Sequence, residues 1–304
     1  MRLDRDSFAQ GYFENAVYRH WDPYAIDGLE ADLELILEEG LTEEEFVDFC
    51  TGISRFGAGE EAVTEDLMPL ALVLEDVNDQ MFISSQIYEE AKHAQFFDRY
   101  WREVVDPVAE EFGFERRAPT DQRFFNDDYV ALFDKTETAM NRLLEEGGDT
   151  PENRVLAYTH YHLAVESVLA QTGYFGFSSA FSDQGSDEVA VGEWPNLDGL
   201  VNGITKIRSD EGRHVGFGMH KVRGYIQRGE VEADLVQDTL QDLLPHIAGT
   251  VDDISTSINS RPMVSYASDK LARRIEVMTE SDAEIPPVDD LVSLDDGPSD
   301  AAAD

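Results

Sequence analysis

Apolar residues recur three and four positions apart along most of this chain, the spacing of one buried face of an α-helix. LEADLELILEEG (29–40) shows the pattern and closes on a glycine. TEEEFVDFCTGISRF (42–56) opens on a threonine cap with glutamates in the first turn. The periodicity continues through EEAVTEDLMPLALVLED (60–76), where Pro69 predicts a kink or an end. DQMFISSQIYEEAKHAQFFDRYWREVV (79–105) reads as a long helix that stops before Pro107. Further helical patterns cover 120–148, ending at Gly147–Gly148, and 150–177, with a threonine cap and a proline in the first turn. Others cover 197–229, 231–258 and 268–278. Period-two alternation is absent, so the pattern predicts one all-α domain of about eight long helices over residues 1–279. SDQGSDEVAVGEWPN (182–196) reads as a polar loop. Residues 280–304, rich in Asp, Pro and Ala, read as a disordered acidic tail.

Composition narrows the functional classes. With 304 residues, 42% of them hydrophobic, the chain can build a sizeable core. Asp and Glu number 64 against 23 Lys and Arg, a formal charge of −41 spread over every segment. Molar salt shortens the Debye length to roughly 3 Å and screens such repulsion, so the charge reads as adaptation to high salt in a halophilic microbe. No basic stripe exists to neutralise phosphates, which argues against a nucleic-acid partner. Cys50 is the one cysteine, so neither a disulfide framework nor a thiolate cluster is available. MRLDRDSFAQ lacks the apolar core of a signal peptide, and no apolar run of about 18 residues offers a membrane span. A cytoplasmic location is expected.

The chemistry lies in a repeated motif. YEEAKHAQF carries Glu90 and His93; RSDEGRHVGF carries Glu211 and His214. Residues three apart project from one helix face, so each pair can hold one ion. A single Glu-x-x-His is ordinarily a solvated face, but two copies on separate helices point to a di-metal bundle. That arrangement also needs one inward carboxylate from each of two further helices. Glu60 or Glu61 is available before the first pair. Between the pairs lies Glu166, set among Leu163, Ala164, Val165, Val168 and Leu169, where an unpaired charge would be costly. Four carboxylates and two imidazoles suit iron and manganese better than zinc or calcium. His162, four before Glu166, is the rival ligand, while His20, His160, His220 and His246 read as structural. Asp210 can orient a ligand imidazole.

GEEAVTEDLMP, YEEAKHAQFF, VESVLAQTGY and DEGRH together resemble the ribonucleotide reductase small-subunit superfamily. Within it they most resemble the ligand-binding oxidases, from HWDPYAID (20–27) to about residue 230. The resemblance implies a ferritin-like four-helix bundle core with additional helices. Its cofactor would be manganese and iron, or two irons, with dioxygen as oxidant. The implied activity is a two-electron C–H oxidation beside a bound long-chain fatty acid, in a homodimer. It assigns Glu60, Glu90 (bridging) and His93 to the first metal, and Glu166, Glu211 and His214 to the second. It also matches Val63 and Tyr161 to a valine–tyrosine ether cross-link. Phe97 occupies the place where radical-storing reductase subunits carry tyrosine. Two other readings stay open: a reductase small subunit lacking that tyrosine, and an iron-storage protein. The 45 residues separating Glu166 from Glu211 exceed the family's expected spacing, and the 182–196 loop accounts for the excess.

Overall fold

The computed structural model describes residues 3–183, 186, 188–191, 194–252, 258–280 and 283–294. Among these the regular structure is helical, apart from one isolated antiparallel bridge between Ala190 and Ile258. The helices are α1 (Phe8–Tyr18), α2 (Leu29–Glu39), α3 (Glu43–Val73), α4 (Val77–Tyr100), α5 (Asp106–Phe112), α6 (Asp127–Asn141), α7 (Pro151–Tyr158), α8 (Gln171–Phe181), α9 (Asp198–Gln227), α10 (Ala233–Asp252), α11 (Ser260–Thr279) and α12 (Val288–Leu291). Two π-helical segments, Trp101–Val105 and Thr159–Ala170, join α4 to α5 and α7 to α8. The all-α bundle expected from periodicity is the observed architecture. No helix among the described residues is long and apolar enough to cross a membrane.

Local chemistry explains the ends. Thr42 and Glu45 form a reciprocal capping box at the start of α3, and Asp76 accepts from Asn78 N and Asp79 N at the start of α4. Gly40 ends α2 at φ +75°, a conformation that side-chain-bearing residues rarely adopt. Of the kink or end expected at Pro69, the end does not occur, since α3 continues to Val73. Nor does the next helix stop before Pro107: the π turn Trp101–Val105 carries the chain on, and Pro107 falls in the first turn of α5.

Helices α3 and α4 lie along each other, as do α9 and the segment Thr159–Ala170, and α4 also meets α9. Two apolar clusters fill the interior. One contains Val63, Tyr161 and Phe217; the other contains Phe49, Phe97 and Phe177. Of the expected 182–196 loop, residues 184, 185, 187, 192 and 193 lie outside the described residues, and the described ones include buried apolar side chains. Val189 is buried, its carbonyl accepts from Asn259 N at 2.7 Å, and Trp194 packs on Phe49 and Phe181.

The disordered tail expected from residue 280 is corrected in part. Residues 281–282 and 295–304 lie outside the described residues. Between them α12 packs on α9 with Leu291 fully buried. Three apolar side chains, Val288, Leu291 and Val292, are enough to seat so short a stretch against a prepared surface.

Candidate metal centre

Four helical segments each aim carboxylates or imidazoles at one interior point. α3 contributes Glu60, α4 contributes Glu90 and His93, the π segment contributes Glu166, and α9 contributes Glu211 and His214. All six are buried, the most exposed at 6%. Glu61 is exposed, and of the two it is Glu60 that stands in the cluster.

The side chains form two overlapping groups whose ligand atoms lie within 4.8 Å of one another: Glu60, Glu90, His93 and Glu211, then Glu90, Glu166, Glu211 and His214. His93 Nδ1 faces Glu90 Oε2 at 3.1 Å, and Glu60 Oε2 and Glu211 Oε1 at 3.4 Å each. His214 Nδ1 faces Glu90 Oε1 at 3.1 Å, Glu211 Oε2 at 3.4 Å and Glu166 Oε1 at 3.5 Å. Glu90 and Glu211 therefore each turn one oxygen to either group, the disposition of two bridging carboxylates. Glu211 does more here than the second-site role implied by resemblance.

The outer nitrogens of the imidazoles are held crosswise. His93 Nε2, on α4, bonds Asp210 Oδ2 on α9 at 3.2 Å; His214 Nε2, on α9, bonds Glu89 Oε2 on α4 at 2.8 Å. A proton on each Nε2 leaves the Nδ1 lone pair directed at the cluster. Asp210 also accepts from Trp21 Nε1 at 2.7 Å and Lys92 Nζ at 3.0 Å. Sequence reasoning found Asp210 and missed Glu89, Lys92 and Arg213. The signal was present: EEAKH and DEGRH share the order acid, Glu, small residue, base, His. The two bases are buried beside the two acids.

His162 does not join the cluster. Its Nε2 meets Gln86 Oε1 at 3.2 Å, while Gln86 Nε2 donates to Glu166 Oε1 at 2.8 Å, so it acts on Glu166 through the glutamine. His20 stacks on Tyr88, His220 on Phe8, and His246 pairs with Asp128 at 2.9 Å. His160 likewise falls outside the groups. Tyr161 donates to Glu90 Oε1 at 3.0 Å. Val63 is buried in the same apolar cluster as Tyr161, and Phe97 is buried, stacked on Phe56.

The electrostatics ask for cations. Six buried carboxylates (Glu60, Glu89, Glu90, Glu166, Asp210 and Glu211) face two buried fixed cations, Lys92 and Arg213. The four negative charges left over equal those of two divalent ions. Burial pushes the Glu60 carboxyl up to about 8 and raises Glu166 and Glu211; repulsion from the neighbouring glutamates adds to each. Burial would lower both imidazoles. Glu60 beside His93 and Glu90 beside His214 outweigh it and hold them well above the usual range. His214 Nδ1, Glu166 Oε2 and Glu211 Oε2 are buried without a hydrogen bond, as atoms reserved for metal would be. The hard oxygen and imidazole donor set fits manganese or iron.

A cavity of about 90 Å³ opens on these carboxylates. Its walls are largely apolar, including Phe56, Val63, Val165, Leu169, Phe177 and Met263, and Glu60, Glu90, Glu166 and Glu211 close one side.

No family model matches the chain. Solved structures do. A valine-to-leucine variant of an R2-like ligand-binding oxidase with aerobically reconstituted Mn/Fe cofactor is 27% identical at a TM-score of 0.78, covering 91% of this chain and 95% of that one. A glycine-to-phenylalanine variant with anaerobically reconstituted Mn/Fe cofactor is 28% identical, TM-score 0.77, with 91% and 96% covered. A glycine-to-leucine variant with aerobically reconstituted Fe/Fe cofactor is 26% identical, TM-score 0.75, with 91% and 95% covered.

Proposed function

We propose that this protein is a dioxygen-activating di-metal oxidase of the R2-like ligand-binding kind, holding manganese and iron or two irons. One observation carries the reading: two overlapping buried carboxylate–imidazole groups share Glu90 and Glu211. Similarity to oxidases with Mn/Fe and Fe/Fe cofactors supports it over most of the chain.

Glu60, Glu90, His93 and Glu211 would hold the first ion, and Glu90, Glu166, Glu211 and His214 the second. The bound pair supplies the two-electron reduction of dioxygen that C–H oxidation requires. The remaining work belongs to the chain. The carboxylates neutralise the ions. Glu89 and Asp210 fix the imidazole tautomers. Gln86 holds Glu166, and Tyr161 donates to Glu90. The apolar cavity excludes water and accepts the tail of a long-chain, fatty-acid-like ligand. Val63 lines that cavity, and Val63 and Tyr161 are the pair for the ether cross-link.

A homodimer would use the groove between α1 and α4, lined by Phe13, Val17, Met81 and Tyr88. Along α4 that groove presents Val77, Gln80, Met81, Ser84, Ser85 and Tyr88, with acid only at the buried Glu89. On so acidic a surface, an uncharged strip is where two copies can approach. High salt and the cytoplasm are the setting that the acidic composition suits.

Aerobic loading with manganese and iron, followed by metal analysis and peptide mass spectrometry, tests the reading. Two bound metals, oxygen uptake, and a loss of two hydrogens joining the Val63 and Tyr161 peptides are expected. Fewer than two metals overturns the di-metal reading. Full loading without the joined peptides removes the cross-link.

A further inference from the structure

Residues 283–294 return across α9. The contact is close because α9 offers a glycine there: a Cβ on Gly212 would stand 2.6 Å from the Val288 carbonyl oxygen. Helix α11 fastens the strap by its backbone: Arg274 Nη2 donates to Leu291 O at 3.0 Å, and Lys270 Nζ to Ser293 O at 3.1 Å. Both cations are buried, so the carbonyls they meet are part of what lets them remain there. The same Arg274 reaches the metal-bearing segment, since its Nε donates to Ser167 Oγ at 2.5 Å.

The two points of support are adjacent to ligands. Ser167 follows Glu166, and Gly212 follows Glu211. Those carboxylates, with Glu90 and His214, make up the second group; Glu166 belongs to that group alone. The strap's polar partners include α11 and Arg19, which bonds Asp289.

We infer that this C-terminal strap is a positioning element for the second cation position: by bearing on Gly212 and, through Arg274, on Ser167, it holds Glu211 and Glu166 at the separation one ion requires and so sets how tightly that position is filled. The inference rests on the di-metal reading above. A carboxylate pair serves an ion only when its backbone is fixed to within about 0.5 Å. A loosened strap frees Glu166, which belongs to the second group alone, and loosens Glu211, which both groups share, while Glu60, Glu90 and His93 keep their places. Supporting contacts of this kind are worth about 10- to 100-fold in metal affinity.

The test is an anaerobic manganese(II) titration of the full chain by equilibrium dialysis with metal analysis, alongside thermal melting. Variants are Gly212→Ala, Leu291→Ala and Arg274→Lys, with Arg19→Ala as a control for the exposed Asp289 pair. The unaltered protein is expected to take up two equivalents. Arg274→Lys and Leu291→Ala, which act on Glu166 through Ser167, should keep the first step within about twofold and weaken the second at least tenfold; Gly212→Ala, beside the shared Glu211, should weaken the second step more than the first; and Arg19→Ala should change neither. If Gly212→Ala fails to fold, Arg274→Lys, which keeps the buried charge, decides. Equal weakening of both steps, or none in any folded variant, overturns the strap's role while leaving the di-metal reading intact. Fewer than two equivalents in the unaltered protein overturns that reading and the strap with it.

Discussion

Arg213 donates through one nitrogen, Nη2, to both Glu89 Oε1 and Asp210 Oδ1, at 2.6 Å each. Each of those carboxylates holds the imidazole of the other's helix, so a single fully buried guanidinium ties together the outer supports of both halves of the site. Asp210→Asn should therefore act on the His93 side. We expect manganese affinity at the first position to fall about 10- to 100-fold. Stability should fall by about 3 to 5 kcal/mol, because Lys92 and Arg213 lose a buried counter-charge. Glu89→Gln should weaken the His214 side instead. Metal titrations resolving two steps check this; the same step weakening in both variants would contradict the crossed arrangement.

The metal-free and metal-loaded proteins should respond to pH with opposite sign. Glu60 rises from 4.5 to about 8 on folding, and Glu166, Glu211 and both imidazoles are also raised. A raised group contributes stability at low pH and loses it as pH climbs through its folded value. Glu90 and Asp210 are lowered, and their contribution fades only in the acid range, below the ordinary carboxylate values. Between about pH 5 and 8 the metal-free stability should therefore fall, by up to about 1.4 kcal/mol per pH unit for each raised group, and the melting temperature with it. At fixed metal concentration the loaded protein should gain over the same range, since binding displaces those protons. Parallel melts in molar salt decide; matching slopes would argue against metal binding to these carboxylates.

Gly203 allows α9 to approach α4, because a Cβ there would stand 2.0 Å from Phe96 Cζ. Phe96 is fully buried and packs against Phe97 and Tyr100, so the ring has nowhere to go. Gly203→Ala should cost about 1 to 3 kcal/mol by overpacking. Denaturant unfolding with an unchanged m-value would give the figure, and a neutral result would mean the two helices can part without penalty.

Salt should stabilise the protein steeply at first and then level off. The chain carries −41 formal charges, and the Debye length shrinks from about 10 Å at 0.1 M to about 3 Å at 1 M. Melting temperature measured in potassium chloride should rise across that range. The exposed pairs, such as Arg102 with Asp98, offset little of the repulsion because each is worth about 0 to 1 kcal/mol. A flat profile would remove the electrostatic account of the composition.

Helix content, the repeated Glu-x-x-His pairs and the apolar setting of Glu166 are local facts, and the sequence alone determined them. Spacing of three puts two ligands on one face whatever the rest of the chain does, and a charge among apolar neighbours demands a counter-ion. Other features depend on how rods pack, which periodicity does not encode. Tertiary structure chose Glu60 over Glu61 by burying one. It crossed Asp210 to His93 and Glu89 to His214, and it turned both oxygens of Glu211 to different groups. It carried the chain through Pro107 on a π turn and seated residues 283–294 against Gly212 of α9. Those outcomes are set by contacts between segments distant in sequence, where the desolvation of a few polar atoms and the room left by a missing Cβ decide the arrangement.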